Sequence, residues 1–477
     1  AEWPLRVRVL TTGPAEHVLA VVTHHIAADG ESMLPLVTDL VAAYTARTAG
    51  AGPQFAPLEV QFADYAIWQH RVLGSADDSN SVVGQQLDYW RDQLGGLPDV
   101  LDLPADRPRP VVASHRGATT SVPIPADLAN RIAAAAQSHG VTPFMVLHAA
   151  LTALLARLST GDDIAVATPT AGRGQAVLDP VVGMFVNTLV LRTNVDVRSD
   201  FASLLDQVRV VDLDAFAHAD VPFETVVDAV DPVRSEAFAA LAQVLLSFDP
   251  GAGAAAGVSL GALEIAPVEH DVVGAQLDLY LTVVTAPQGE PWSMDAVFAT
   301  DLFDAPTVAR LLGRFVSVLD AATANPALPL GDIALLSDEQ SAAVAALETG
   351  SAVTVPQGTL ADVALAQAAT SPDATALWFE GRSVLYAEFG ARVNTLARRL
   401  ISAGVGPEVA VGVCVPRSIE MVVALHAIVA AGGQYVPVDL SAPAERVGYM
   451  FDTADVRVVV VSAETVDGTV AAAAAER

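Results

Sequence analysis

The sequence has a single cysteine in 477 residues, Cys414, so no intrachain disulfide framework can hold it together and a reducing compartment is expected. Basic residues are scarce: 25 stand against 55 acidic ones, a formal charge of -30 at pH 7. Such a field repels polyanions, which argues against nucleic acid or an anionic membrane as the main partner. Long apolar runs are missing too. The greasiest stretch, Met421 to Gly433, is too short to span a hydrocarbon core of about 30 Å and contains His426. Glu2, Arg6 and Arg8 interrupt the N-terminus, so no signal-peptide core is expected there, and the chain reads as a soluble protein of the cytoplasm. There is no Cys-x-x-Cys and no helical His-x3-His, which leaves no ligand set for a metal. No Gly-x-Ser-x-Gly elbow marks a serine hydrolase.

What is present is a packed globular composition, 52% hydrophobic and 17% charged, with length for about two to four domains. Residues 5–10 and 18–23 are Val/Leu-rich and read as strands, and Val18-Leu19-Ala20-Val21-Val22, apolar on both faces, predicts a buried one. Met33, Leu36, Leu40, Val41 and Tyr44 recur at helical spacing from Glu31 to about Arg47, with Pro35 in the first turn, where it does little harm. The Pro-rich stretch Leu103 to Pro110 marks a crossing between two lobes. Beyond it, helices are expected at 126–138, 143–158, 200–217 and 304–323. Strands are expected at 164–168, 277–285 and 292–299, and a long β-rich run at 182–195. The Gly/Ala-rich segment 251–257 reads as a mobile loop. Residues 337–356 carry little patterning and read as a linker. From 387 onward a β/α rhythm restarts: helix 387–403, strand 409–415, helix 418–431, strand 434–438, helix 443–453 and strand 456–461, the pattern of a parallel doubly wound sheet.

The chemistry concentrates at His24-His25-Ile26-Ala27-Ala28-Asp29-Gly30. A strand delivers two histidines to a turn that leads into a helix. Histidine is the natural proton handler near neutral pH, and a strand end gives it a fixed orientation over a cleft. Asp29 can fold back toward an imidazole or anchor the loop, and Gly30 permits a sharp turn and close approach of a ligand. Read alone, a His-His pair at a strand end is as well explained by satisfied core side chains.

Further motifs decide between the readings. His24-His25-x-x-x-Asp29-Gly30 with Ser32, then Tyr65-Ala66-Ile67-Trp68, then Gly183-Met184-Phe185-Val186-Asn187-Thr188 with Arg192, then His218-Ala219-Asp220-Val221-Pro222-Phe223-Glu224 follow one another in order. Together they resemble the signatures of nonribosomal peptide synthetase condensation domains, in the superfamily related to chloramphenicol acetyltransferase. Two positions are looser: Ala219 replaces a glutamine, and Ala239-Ala240-Leu241-Ala242-Gln243-Val244 stands for Pro-Leu-Phe-Gln-Val. The resemblance implies an α/β fold of two chloramphenicol acetyltransferase-like lobes. Family members carry further residues before the double histidine, so the first lobe is expected to be incomplete. Leu385-Tyr386-Ala387-Glu388-Phe389 and Ala430 to Asp439 resemble the first two core motifs of an adenylation domain. A partial doubly wound α/β segment is therefore expected at the end, and the glycine-rich phosphate loop of such domains is absent from it. The expected division is 1–110 for the remainder of the first lobe, 111–336 for the second lobe, 337–356 for the linker and 357–477 for the adenylation segment.

The resemblance also implies roles. His25 acts at the reaction centre, as general base or as electrostatic anchor, while the α-amine of one carrier-bound amino acid attacks the thioester of another. His24 is mostly structural. Asp29 holds the loop through an ion pair, for which Arg173 in Ala171-Gly172-Arg173 is the candidate. Read from the residues themselves, Asn187 and Thr188 either line the acceptor channel or satisfy backbone groups near a strand, and within Asp220 to Glu224 the Pro222 and Phe223 side chains fix a helix start. The implied reaction is peptide-bond formation. Alternatives are an O-acyltransferase using a diffusible acyl thioester, an epimerising relative, or an inactive scaffold fragment. No directly bound cofactor is expected. Phosphopantetheine would arrive on upstream and downstream peptidyl carrier domains, beside an adjoining adenylation domain.

Overall fold

The computed structural model describes residues 3–250, 258–260, 263–266, 268, 273–287, 289–355 and 357–466. The chain divides into two compact units, 1–348 and 349–477. The expectations for 251–257 and for the alanine run 471–475 lie outside the described residues.

The first unit begins with an antiparallel hairpin, β1 (Leu5–Gly13) and β2 (Glu16–Thr23), which delivers His24. Three helices follow: α1 (Met33–Thr48), α2 (Phe62–Leu73) and α3 (Val82–Leu94). The expectation of a buried β2 is overturned: no residue of that strand is buried. It pairs only with β1, so its second face and outer edge meet no described layer. The apolar stripe of α1 likewise buries no residue.

A six-stranded mixed sheet forms the body of the unit. Its strands are β3 (Gly117–Ile124), β4 (Asp163–Thr170), β5 (Asn187–Asn194) and β6 (Val244–Asp249), then, after the small hairpin β7 (Val258–Leu260) and β8 (Leu263–Ile265), β9 (Leu279–Val284) and β10 (Trp292–Ala299). The order is β3-β10-β9-β6-β4-β5, antiparallel except where β6 runs parallel to β9 and β4. The helices α4 (Ala126–His139), α5 (Pro143–Leu158), α6 (Phe201–Ala217), α7 (Phe223–Val230) and α8 (Ala305–Ala324) complete it. Every residue of α5 from Met145 to Leu155 is buried, because the helix lies between the sheet and its neighbours α4, α6 and α8. Thr142 caps its first turn and Pro143 opens it, which spends the donors a helix start leaves over. Ile164 and Val166 of β4 join this core, whereas Ala165 and Ala167 face a second core built on Trp90 of α3, so β4 is covered on both faces. The Pro-rich crossing is irregular and is tied to the sheet by a two-pronged ion pair between Arg109 and Asp278.

The expected β-run over 182–195 is shorter than its composition implies. Residues 182–186 form an irregular strap, and only Asn187–Asn194 enters the sheet. The cause is visible in the hydrogen bonds: the strap's backbone groups are spent on Asp29 and Ser32 instead of a ladder. Within the segment expected to be a linker lies a helix, α9 (Asp338–Glu348), that buries none of its residues.

The second unit carries α10 (Leu360–Thr370), the hairpin β11 (Thr375–Phe379) and β12 (Arg382–Leu385), and α11 (Tyr386–Ser402). It continues through β13 (Ala410–Cys414), α12 (Ile419–Ala430), β14 (Gln434–Pro437), α13 (Ala444–Thr453) and β15 (Val458–Val461). The last three strands form a parallel sheet in the order β14-β13-β15, as the alternating pattern predicts. All five residues of the central β13 are buried, and burial pushes the Cys414 thiol up to about 11. No single described helix is long and apolar enough to cross a membrane. The pair α4–α5 reaches the required length only jointly and is bent by 103°.

Candidate active site

The loop between β2 and α1 turns back on itself at His24–Asp29, and its two histidines make opposite hydrogen bonds. The Ile26 N–H donates to His24 Nδ1 at 3.1 Å, so Nδ1 of His24 is an acceptor and the proton of the neutral ring sits on Nε2. His25 Nδ1 lies 3.1 Å from the Ala28 carbonyl oxygen, which only accepts, so Nδ1 of His25 is the donor and, in the neutral ring, the lone pair lies on Nε2. Both residues are exposed.

Asp29 and Ser32, further along the same turn, are buried. The Asp29 Oδ1 oxygen accepts from the Ser32 hydroxyl (2.7 Å), the Ser32 N–H (2.9 Å) and Arg173 Nη2 (3.1 Å), and Oδ2 accepts from the Phe185 N–H (2.9 Å). Burial pushes this carboxyl up. The Ser32 hydroxyl, the Phe185 N–H, the Arg173 guanidinium and the Ser32 N–H outweigh it and hold the group below its ordinary value of 3.8. Arg173 is pinned in turn: Nη1 donates to the carbonyls of Leu178 and Val181, and its guanidinium stacks 4.1 Å over the Phe185 ring. Gly172 before it has a φ of +65°, and a side chain there would strike the Phe185 carbonyl. The structure thus brings Asp29 and Arg173 together across 144 residues of sequence.

Gly30 sits differently from the expectation. Its φ is not in the left-handed region, and a Cβ there would meet nothing within 4 Å, so the turn itself makes no demand for glycine.

Asn187 is wholly engaged with backbone. Its amide nitrogen donates to the carbonyls of Ala219 (2.9 Å) and Val221 (2.7 Å), and its amide oxygen accepts from the N–H groups of Thr188 (2.9 Å) and Phe223 (3.0 Å). Those four bonds exhaust the amide. The same loop is gripped from α3 by Trp90 Nε1 on the His218 carbonyl and by Gln86 bonded to both the backbone and the carboxylate of Asp220. Thr188 lies in β5 opposite Pro169. Tyr65 packs against Phe185 at 4.8 Å between ring centres and against Trp68 at 5.9 Å. Among the described residues no group of three or more His, Cys, Asp or Glu side chains is placed to hold a metal.

Two participants had a place in the sequence but no role. Ser32 is the hub of the buried cluster, and its signal is the spacing from Asp29, the local Asp-x-x-Ser pattern in which a carboxylate bonds the backbone three residues on. Gly183 receives the Asp29 N–H on its carbonyl at 3.2 Å, which no local pattern announces.

Comparison with known proteins agrees with this architecture. The family model of the condensation domain matches residues 1–344, and that of the AMP-binding enzymes matches 365–477. A probable non-canonical nonribosomal peptide synthetase of Salinispora arenicola is 44% identical over 99% of the chain, and a dimodular nonribosomal peptide synthase of Bacillus subtilis is 40% identical over 95%. The chain spans 6% and 19% of those two proteins. Among solved structures, the X-domain from teicoplanin biosynthesis superimposes with a TM-score of 0.66 at 33% identity, covering 70% of this chain and 75% of that one. A four-domain nonribosomal peptide synthetase bound to AMP and glycine gives a TM-score of 0.80 at 25% identity, covering 98% of this chain and 35% of the other. The chain belongs to the condensation-domain family, followed by the opening segment of an AMP-binding domain.

Proposed function

We propose that the chain joins two carrier-bound acyl groups by an amide bond, with His25 as the reacting residue. The observation that carries this is the hydrogen bond from His25 Nδ1 to the Ala28 carbonyl, which leaves Nε2 with a free lone pair while the neighbouring His24 is bonded the opposite way. The substrates are an acyl thioester and an aminoacyl thioester, each presented on a phosphopantetheine arm of a carrier domain. The amine nitrogen attacks the thioester carbonyl, and the new C–N bond forms as the C–S bond breaks. The proton lost by the amine passes to Nε2 of His25 and from there to the departing sulfur. The Nδ1–H bond to Ala28 steadies the imidazolium that exists between these transfers. Asp29 is held away from the proton path by its four donors and keeps the loop in place with Arg173.

The AMP-binding segment behind the condensation unit supports the carrier-bound version over an O-acyltransferase with a diffusible donor. The test is product formation from two loaded carrier domains by the complete polypeptide that contains this chain. His25→Ala is expected to lower the rate about 10²- to 10⁴-fold. Equal yields from wild type and variant overturn the reading, and a preference for a hydroxyl over an amine acceptor favours the ester-forming alternative.

A further inference from the structure

The hydrogen bond that orients His25 ends on the Ala28 carbonyl, and the nitrogen of that same peptide unit belongs to Asp29. A peptide group is rigid and planar, so whatever grips the N–H also sets the direction of the C=O. The Asp29 N–H is gripped by the carbonyl of Gly183 at 3.2 Å, with the Ser32 hydroxyl oxygen as a second acceptor at 3.4 Å. A continuous series therefore runs from the His25 ring through the Ala28–Asp29 peptide to the strap before β5, crossing more than a hundred residues of sequence.

Gly183 is itself clamped. Its N–H donates to the Ser32 hydroxyl at 3.1 Å, and that hydroxyl also lies 2.9 Å from the Gly183 carbonyl oxygen and 2.7 Å from Asp29 Oδ1. Its back is against the Phe62 ring: a Cβ added at Gly183 would lie 2.7 Å from Phe62 Cγ, closer than real contacts allow. The φ of Gly183 is not left-handed, so steric closeness, and not backbone freedom, is what the position needs. Phe62 in turn packs edge-on against Phe185 at 5.1 Å, which fixes the ring where it blocks any side chain at Gly183.

We propose that Gly183 is a positioning residue for the reacting histidine: its carbonyl holds the Ala28–Asp29 peptide, which holds the His25 ring with Nε2 free. The inference rests on the amide-forming reading above. Hydrogen-bonded groups in series polarise one another, so the grip on the Asp29 N–H also strengthens the acceptor that His25 uses. A side chain at Gly183 must push the strap away from Phe62, and the displacement reaches His25 through one rigid peptide. Small misplacements of a reacting group cost rate without weakening substrate binding.

The test uses the complete polypeptide with loaded carrier domains and compares Gly183→Ala, Phe62→Ala and the double variant, with His25→Ala as the reference. Gly183→Ala is expected to lower kcat about 10- to 100-fold, up to the scale that a displacement of about 1 Å costs, with KM for the aminoacyl carrier within about twofold of wild type. Phe62→Ala sets the baseline for the lost ring. In the double variant the room left by the ring lets the strap return, so kcat is expected to rise from the Gly183→Ala level to that baseline. Should Gly183→Ala fail to fold, the double variant alone decides, at or below the baseline. Wild-type kcat in Gly183→Ala overturns the inference. So does a double variant that recovers its melting temperature but not its kcat. If His25→Ala itself retains full turnover, the amide-forming reading fails first; if only the Gly183 series is flat, the positioning role fails alone.

Discussion

The carboxyl of Asp29 is 1% exposed and holds its charge by accepting four hydrogen bonds, one of them from an arginine 6% exposed. Removing one member of such a group leaves the others charged or polar without partners, a loss of about 3–5 kcal/mol for a buried pair. Asp29→Ala is therefore expected to lower the unfolding free energy of the first unit as well as turnover, read from urea denaturation beside the amide-forming assay. A fully stable but inactive variant would contradict the anchoring role. The pH dependence has a definite sign. The folded-state carboxyl titrates below its ordinary 3.8, so its contribution is complete above that value and is lost as the pH falls through the lower, folded one. Because many other carboxylates titrate in the same window, the quantity to measure is the difference in stability between wild type and Asp29→Asn. That difference is expected to be constant from pH 7 to 5 and to shrink below about pH 4. A difference that grows on acidification would mean that the charge of Asp29 opposes folding.

Elements show where sequence and structure part company. The strap at 182–186 has the composition of a strand, and β-propensity alone extends β5 through it. What stops the ladder is long-range: the Phe185 N–H is taken by Asp29 and both backbone groups of Gly183 by Ser32 and Asp29, partners that hydrophobic periodicity does not encode. β2 fails in the opposite way. Its apolar run was legible, but burial depends on layers that another part of a sheet must supply, and no described layer covers it. Four helices of the body, α4, α5, α6 and α8, were readable to within a residue or two because they carry long, capped or Pro-opened apolar patterns, whereas the short α7 was legible only at its start. The Asp29–Arg173 pairing was reachable only by resemblance, since nothing local links positions so far apart. Asn187 belongs with these connections. Its amide joins the start of β5 to the loop at 219–223, so Asn187→Ala strands several partly buried backbone groups. At about 1 kcal/mol for each hydrogen bond, a loss of about 2–4 kcal/mol is expected. Thermal unfolding should show it, with Thr188→Val as the neighbouring control. An Asn187→Ala protein as stable as wild type, yet altered in its KM for the aminoacyl carrier, would move Asn187 from framework to channel wall.

On the scale of the whole chain, two forces act against each other. The hairpin β1–β2 and helix α1 turn apolar side chains outward, Val9 at 66% and Leu34 at 74% exposure among them, together with Val7, Val22, Val37 and Leu40. In the 477-residue chain taken by itself, exposed apolar side chains of this kind drive association, because burying them removes them from water at about 25 cal/mol per Å². The formal charge of -30 opposes contact between copies of the chain. Salt separates the two effects. The Debye length falls from about 10 Å at 0.1 M to about 3 Å at 1 M, so added salt screens the repulsion and leaves the apolar attraction intact. The 477-residue chain is therefore expected to sediment as a smaller species at low salt and to associate as sodium chloride rises toward 1 M. Replacing Leu34 and Val37 with glutamate should suppress that association, since neither is buried in α1 and the change adds charge where the apolar stripe lies. The melting behaviour of the six-stranded body, whose core is formed by α5, α8 and the sheet, should stay unchanged in the same variant. A chain whose sedimentation is indifferent to salt, or a double glutamate variant that associates as readily as wild type, would show that these exposed side chains do not govern how the molecule meets its surroundings.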